Sequence, residues 1–177
     1  MTLEEQVQQL LDRQAIHDLV ARYSRTLDWL DDEGQAGCYW PDAPVDYGFF
    51  KGTAADFVPI VMQVERSTGR RWHLLAPLSV KLTSATTAEG ECYGVALGFR
   101  REGEGEPYRG NMYGGRYLDT YEKRATDTGA EWRIASRRYI MDWTLPMPDQ
   151  PDGSPRPDFV LPMLDLTQSG HPDYRSM

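Results

Sequence analysis

The chain has 177 residues, 40% of them hydrophobic and 26% charged, with a formal net charge of −8. This describes one soluble globular domain with a proper core, and the acidic balance argues against nucleic acid or an anionic membrane surface as a partner. Cys38 and Cys92 show neither metal-ligand spacing nor a disulfide framework. No basic-then-apolar leader or membrane-length apolar run is visible, so the expectation is a cytoplasmic protein without metal or cofactor.

The stretch Thr2–Asp32 reads as one long helix. Thr2 and Glu5 have capping-box spacing, and Leu3, Val7, Leu10, Leu11, Ile16, Leu19, Val20, Tyr23, Leu27 and Leu30 recur at three- and four-residue steps. Asp18 and Arg22 are spaced as a solvent-side pair. Asp28 lies on the edge of the apolar stripe, near the negative end of the helix dipole. Asp28, Asp31, Asp32 and Glu33 could simply be a solvated acidic helix end. Asp31 or Asp32 could also cap a short helix over Glu33–Cys38.

Ala43–Phe50 suggests a short strand and Lys51–Thr53 a turn, with Thr53 capping a helix over Ala54–Arg66. Phe57, Ile60, Val61 and Val64 share one face of that helix, and Pro59 predicts a kink or a late start. From Trp72 the period becomes two, with Leu78, Val80 and Leu82 on one face of a strand that Pro77 interrupts. Without a bulge His73 points away from that face; with one, it joins it.

In the strand Glu89–Arg101, Tyr93, Val95, Leu97 and Phe99 form one face. The other, Gly90, Cys92, Gly94, Ala96 and Gly98, has almost no side-chain volume and either admits close packing or lines a cavity. Tyr108–Lys123 is a strand with a row of Tyr113, Tyr117 and Tyr121, read as sheet packing or a subunit contact ahead of a ligand cage, and a curved sheet would leave an outer face bearing some of Tyr93, Phe99, Tyr113, Tyr117 and Tyr121 that is too apolar to face water alone. After a loop over Arg124–Ala130, Glu131–Trp143 places Trp132 and Ile134 on one face and Arg137, Tyr139, Met141 and Trp143 on the other. Seven of the 12 prolines lie between Pro146 and Pro172. Residues 146–177 therefore read as a proline-rich arm, with Phe159–Leu164 apolar enough to wrap this subunit or a neighbour, and residues 1–145 as the domain. The order of elements is α+β, and a strongly curved antiparallel sheet folded around the N-terminal helices would make a cone-shaped α+β barrel.

Three segments carry a resemblance. Tyr23-Ser-Arg-Thr-Leu-Asp28 resembles a helix end of the bile-acid dehydratases. Trp72-His73-Leu-Leu-Ala-Pro77 resembles the first long strand of the same branch, and Gly114–Glu122 with Glu131–Ile134 resembles the closing hairpin. Together, over Leu3–Trp143, they are similar to the SnoaL-like branch of the nuclear-transport-factor-2-like superfamily. The resemblance implies that Asp28 and His73 form a catalytic dyad like that of lindane dehydrochlorinase, and that the chain assembles as a homo-oligomer, a trimer ahead of a dimer. The additional acid of the bile-acid dehydratases has no match, because that row is Gly94, Ala96 and Gly98, so the substrate does not carry over.

Of the three histidines, His17 reads as a core-edge or surface residue and His171 as exposed. A histidine takes and returns protons near neutral pH, and a carboxylate at its other ring nitrogen fixes the tautomer and balances the imidazolium. The expected function is a cofactor-independent lyase, dehydratase or isomerase acting on an apolar cyclic small molecule. Tyr23, Asn111, Arg137 and Met141 are candidate substrate contacts. The alternative is a non-catalytic ligand-binding or assembly subunit, like the small subunit of ring-hydroxylating dioxygenases. An accessible cavity containing both Asp28 and His73 would favour the enzyme.

Overall fold

A computed structural model describes residues 1–104, 106–148, 167–175 and 177. Helix α1 spans Leu3–Asp28 and its capping box is formed: Thr2 Oγ1 accepts from the Glu5 amide at 3.2 Å, and the Glu5 carboxylate accepts from the Thr2 amide at 2.7 Å. The buried stripe begins only at Ile16 and continues through Leu19, Val20, Tyr23 and Leu27. Leu3, Val7, Leu10 and Leu11, expected in the core, are exposed; the hydrogen bonds of α1 to the sheet begin beyond them, at Asp12 with Trp132 and Lys123 and at Arg13 with the Val80 carbonyl. Asp18 and Arg22 do not pair. Asp18 accepts from Gln14 and Arg22 donates to the Gly37 carbonyl. The helix stops at Asp28, short of Asp32, where Leu30 takes a positive φ of 52°. Asp31 then caps α2, Asp32–Ala36.

Strand β1 is Pro44–Asp46 and β2 is Lys51–Thr53, so the expected turn at Lys51–Thr53 is the second arm of a hairpin. Helix α3, Ala54–Ser67, starts on the Thr53 cap and includes Pro59, with no late start. Its buried face is Ala54, Phe57, Val58, Val61 and Met62, while Ile60 and Val64 are exposed. Strands β3 (Arg70–Leu75), β4 (Ser79–Leu82), β5 (Thr87–Arg100), β6 (Arg109–Thr126) and β7 (Gly129–Pro146) complete the sheet. The expected loop over Arg124–Ala130 shrinks to a tight turn, where Gly129 adopts a φ of 139° that glycine alone takes easily.

The strand order is β2-β1-β7-β6-β5-β3, with β4 also on β5; among the described strands β1 and β7 alone pair in parallel, and Tyr39 adds an isolated parallel bridge to Ile134. The sheet is curved and unclosed, wrapping the helices as a cone-shaped α+β barrel. Two register shifts interrupt the β6–β7 ladder, at Gly114/Gly115 and at Thr120/Tyr121. The second inserts Ala135 as an extra residue and reverses the alternation of β7. Arg137, expected opposite Trp132 and Ile134, is therefore buried with them. Tyr117 and Tyr121 are also inside, where Tyr117 meets Tyr23 edge-on at 5.7 Å, and not on the outer face.

The small-residue face of β5 is used in two ways. A Cβ at Gly90 would lie 2.9 Å from the Tyr121 ring, and one at Gly94 would lie 2.7 Å from Leu75 Cδ2, so these positions permit close packing. Farther along, Ala96 and Gly98 line an open cleft. Residues 167–175 pack on the end of α1, with the Tyr174 ring 5.7 Å from that of Trp29 and its hydroxyl donating to Asp31. The expected apolar stretch of the arm, Phe159–Leu164, lies outside the described residues.

Candidate active site

Three elements converge on His73. Asp28 is the last residue of α1, Glu65 lies in the last turn of α3, and Arg71 and His73 share the inward face of β3. β3 ends at Leu75 and β4 begins at Ser79, and this interruption around Pro77 lets His73 and Leu78 both face inward.

One carboxylate holds His73 twice. Asp28 Oδ1 lies 2.7 Å from the ring Nδ1, and Asp28 Oδ2 accepts from the His73 backbone amide at 3.1 Å. A carboxylate only accepts, so Nδ1 carries the proton and the neutral ring keeps its lone pair on Nε2. On that side Glu65 Oε1 lies 3.7 Å away. All three side chains are largely buried, at 9% exposure for His73, 16% for Asp28 and 13% for Glu65. Burial is the largest influence on His73 and pulls its pKa down. The Asp28 hydrogen bond and the Glu65 charge push harder the other way, and the net shift is upward. Burial raises the Glu65 carboxyl, and neighbouring His73 and Arg71 offset only part of that rise.

Arg71 fastens the frame. Its guanidinium donates to the Glu65 carbonyl at 2.9 Å, the Asp28 carbonyl at 3.3 Å and the Thr68 carbonyl, and also to the Thr167 carbonyl at 3.2 Å. The Asp28, Glu65 and Thr68 carbonyls lie at the C-terminal ends of α1 and α3, where a cation is favoured, and Thr167 belongs to the C-terminal segment. Its side chain is 1% exposed, and Glu65 Oε2 is 3.7 Å from its Nε. Neither Glu65 nor Arg71 was singled out from sequence. The available signals were position alone: Glu65 continues the buried stripe of Val58 and Met62, and Arg71 lies two residues before His73 on one strand face.

His73 and Glu65 line a cleft of about 610 Å³ between the end of α3, with Val64 and Thr68, and the sheet, with Gly98 and Asn111. Asn111 also donates to the Tyr113 hydroxyl at 3.2 Å. Asp28 stands behind the histidine. Tyr23, Arg137 and Met141 are not among the described residues of this lining. Tyr23 is 1% exposed and shares a hydrogen bond of 2.9 Å with Tyr47, and burial pushes its hydroxyl well above the usual range. Arg137 makes a two-pronged pair with Asp119, at 2.8 and 2.7 Å, and lies over the Tyr23 and Tyr117 rings. Met141 is 53% exposed. Among the described residues no cluster of His, Cys, Asp and Glu is arranged to hold a metal ion, and no helix is long and apolar enough to cross a membrane.

Comparison with known proteins follows the same fold. No curated protein matches the chain. Among solved structures, a candidate scytalone dehydratase from Novosphingobium aromaticivorans superposes with a TM-score of 0.68 at 20% identity, over 85% of this chain and 99% of that one. A hexachlorocyclohexane dehydrochlorinase, LinA type 2, gives 0.66 at 23% identity over 81% and 93%. A protein of unknown function from Mycobacterium tuberculosis gives 0.63 at 26% identity over 80% and 77%. These likenesses establish the architecture. The profile of the SnoaL-like domain matches residues 8–138, so the chain belongs to the SnoaL-like family, within the nuclear-transport-factor-2-like superfamily.

Proposed function

We propose that the protein is a cofactor-independent lyase or isomerase that uses Asp28 and His73 for general acid–base chemistry on a small molecule with an apolar, cyclic body. The observation that carries this reading is the polarity of one ring. Nδ1 of His73 is committed to a buried carboxylate, which leaves Nε2 as a base at the wall of an open cleft. A proton taken from carbon by Nε2 creates an imidazolium, which Asp28 and Glu65 stabilise electrostatically. The same ring can return the proton to a leaving hydroxyl or to another carbon, giving a dehydration or a proton-shift isomerisation. Asn111 is a polar contact for the substrate. Tyr23 and Arg137 act through packing and charge within the aromatic core that supports α1.

The dehydratase and dehydrochlorinase among the structural neighbours agree with this class of chemistry. Among the described residues the cleft is lined by His73 and not by Asp28, so it meets half of the condition that would favour an enzyme over an assembly subunit, and the reading leans on His73 alone of the pair being accessible there. We further propose that the chain self-associates, with a trimer expected, through an outer sheet face on which Trp72, Leu74 and Tyr93 are more than half exposed. The test of function is to screen the full chain against cyclic alcohols, halides and enones for elimination or proton exchange, with His73→Ala as the control. Turnover that survives this substitution in a folded protein removes the proposal.

A further inference from the structure

We infer that Glu65 is a third catalytic residue, a relay that takes the proton from His73 Nε2 and hands it to the departing or receiving atom of the substrate; this rests on the acid–base reading above and deepens it. The argument begins with how His73 is held. Asp28 binds the ring at Nδ1 and the backbone amide of the same residue, at 2.7 and 3.1 Å. A ring gripped in this way keeps Nε2 in one place. Nε2 meets the carbon that gives up the proton, while the atom that must receive it lies farther along the substrate. A second group beside Nε2 bridges that gap.

Glu65 is that group. It lines the cleft with His73, and it is the single carboxylate among the described residues of the lining. Its Oε1 is 3.7 Å from Nε2, and catalytic contacts of this kind tighten once substrate is bound. The carboxylate is also uncommitted. Arg71 Nε donates to the Glu65 backbone carbonyl at 2.9 Å and stays 3.7 Å from Oε2, and among the described residues no hydrogen bond reaches either carboxylate oxygen. Burial raises this carboxyl, so it holds a proton that an exposed glutamate would shed. The Ser67 and Thr68 hydroxyls, also in the lining, donate to the Val64 carbonyl. Tyr113 and Asn111 start from the far side of β5. His73 pairs with Ala96, which pairs with Tyr113, and Arg71 pairs with Gly98, which pairs with Asn111. Two strand spacings set their backbones roughly 10 Å from β3, which suits contact with the substrate over exchange with Nε2.

For a dehydration beside a carbonyl the proton count closes. Nε2 takes the proton from carbon, and the C–H electron pair passes into an enolate. The imidazolium then gives its Nε2 proton to Glu65 Oε1. The carboxyl delivers it to the hydroxyl oxygen as the enolate pair forms the double bond and the C–O pair leaves with water. His73 is neutral and Glu65 ionised again. In an isomerisation the same proton goes to a second carbon.

The experiment uses the full chain and two probes that yield the same enone, 5-phenyl-3-hydroxycyclohexanone and 5-phenyl-3-chlorocyclohexanone, followed by absorbance against the uncatalysed rate. The hydroxyl needs a proton to leave and chloride does not. Glu65→Gln keeps the shape but carries no proton. It should lower turnover of the alcohol by about 10²–10⁴-fold, and that of the chloride by about tenfold less or better. Glu65→Asp should restore part of the alcohol's turnover. His73→Ala should lower both, so failure of the acid–base reading and failure of the relay are read separately. Independently of turnover, the Glu65 carboxyl carbon signal in His73→Ala should titrate above the ordinary glutamate value of about 4.3. Equal losses on the two probes in a folded Glu65→Gln variant, an undiminished alcohol reaction, or a Glu65 carboxyl that titrates at or below the ordinary value would overturn the relay. Acceleration of neither probe by the wild type would overturn the relay and the acid–base reading together.

Discussion

Replacing Asp28 by asparagine preserves shape and changes only what the group can accept. The carboxylate serves two donors at once, the His73 Nδ1–H at 2.7 Å and the His73 backbone N–H at 3.1 Å. An amide has one acceptor oxygen and one donor nitrogen, so it cannot satisfy both. If the oxygen faces the ring, the backbone N–H loses its partner in a largely buried position, at a cost of about 1–3 kcal/mol. If the oxygen faces the backbone, the amide donates to Nδ1 and the proton moves to Nε2, so the cleft-facing nitrogen is no longer a base. The first arrangement lowers the melting temperature by roughly 2–4 °C per kcal/mol in a chain of this size. The second abolishes base catalysis, which typically supplies about 10²–10⁴-fold. Thermal unfolding followed by circular dichroism reports the first, and nitrogen chemical shifts of the labelled imidazole report the second. A variant that keeps both its melting temperature and its Nδ1-protonated ring would refute this account of how Asp28 holds His73.

The pH dependence follows from the direction of the His73 shift. Its folded pKa is raised, so the stability it contributes is full below the ordinary histidine value of about 6.5 and is lost as pH rises through the folded value. Under the proposed mechanism turnover needs the neutral ring, so the acid limb of the pH–rate profile should lie above the ordinary value, and Glu65→Gln should move it down by removing a charge that favours the imidazolium. An unmoved limb would remove Glu65 from the site's electrostatics. Asp119→Asn should cost about 3–5 kcal/mol, read as a lower unfolding midpoint in urea, because it leaves Arg137 charged and buried without its partner. Sedimentation at micromolar concentration should show an oligomer, and a monomer alone would contradict the proposed outer-face contact.

The sequence disclosed the elements whose signals are local. Thr2 and Glu5 marked the start of α1, and Pro77 marked the interruption that decides which way His73 faces. Features set by partners distant in sequence were hidden. The shift that inserts Ala135 and turns Arg137 inward arises from pairing with β6, and no residue type announces it. The periodic stripe of Leu3, Val7, Leu10 and Leu11 matches that of Ile16 to Leu27, yet only the latter is buried, and the hydrogen bonds of α1 to the sheet begin at Asp12 and Arg13. Glu65 and Arg71 could not be placed beside His73 until α3 and β3 were folded together, although each lay on a face that pointed inward. The resemblance named Asp28 and His73, and the closing hairpin identified the fold, because those residues retain a recognisable local spacing.

The central claim is that Nε2 of His73 moves the proton in this cleft. Its most direct test is turnover by His73→Ala of a substrate found in the screen, with folding confirmed by circular dichroism. The account predicts a loss of about 10²–10⁴-fold with ligand binding largely retained. Activity near that of the wild type would contradict it.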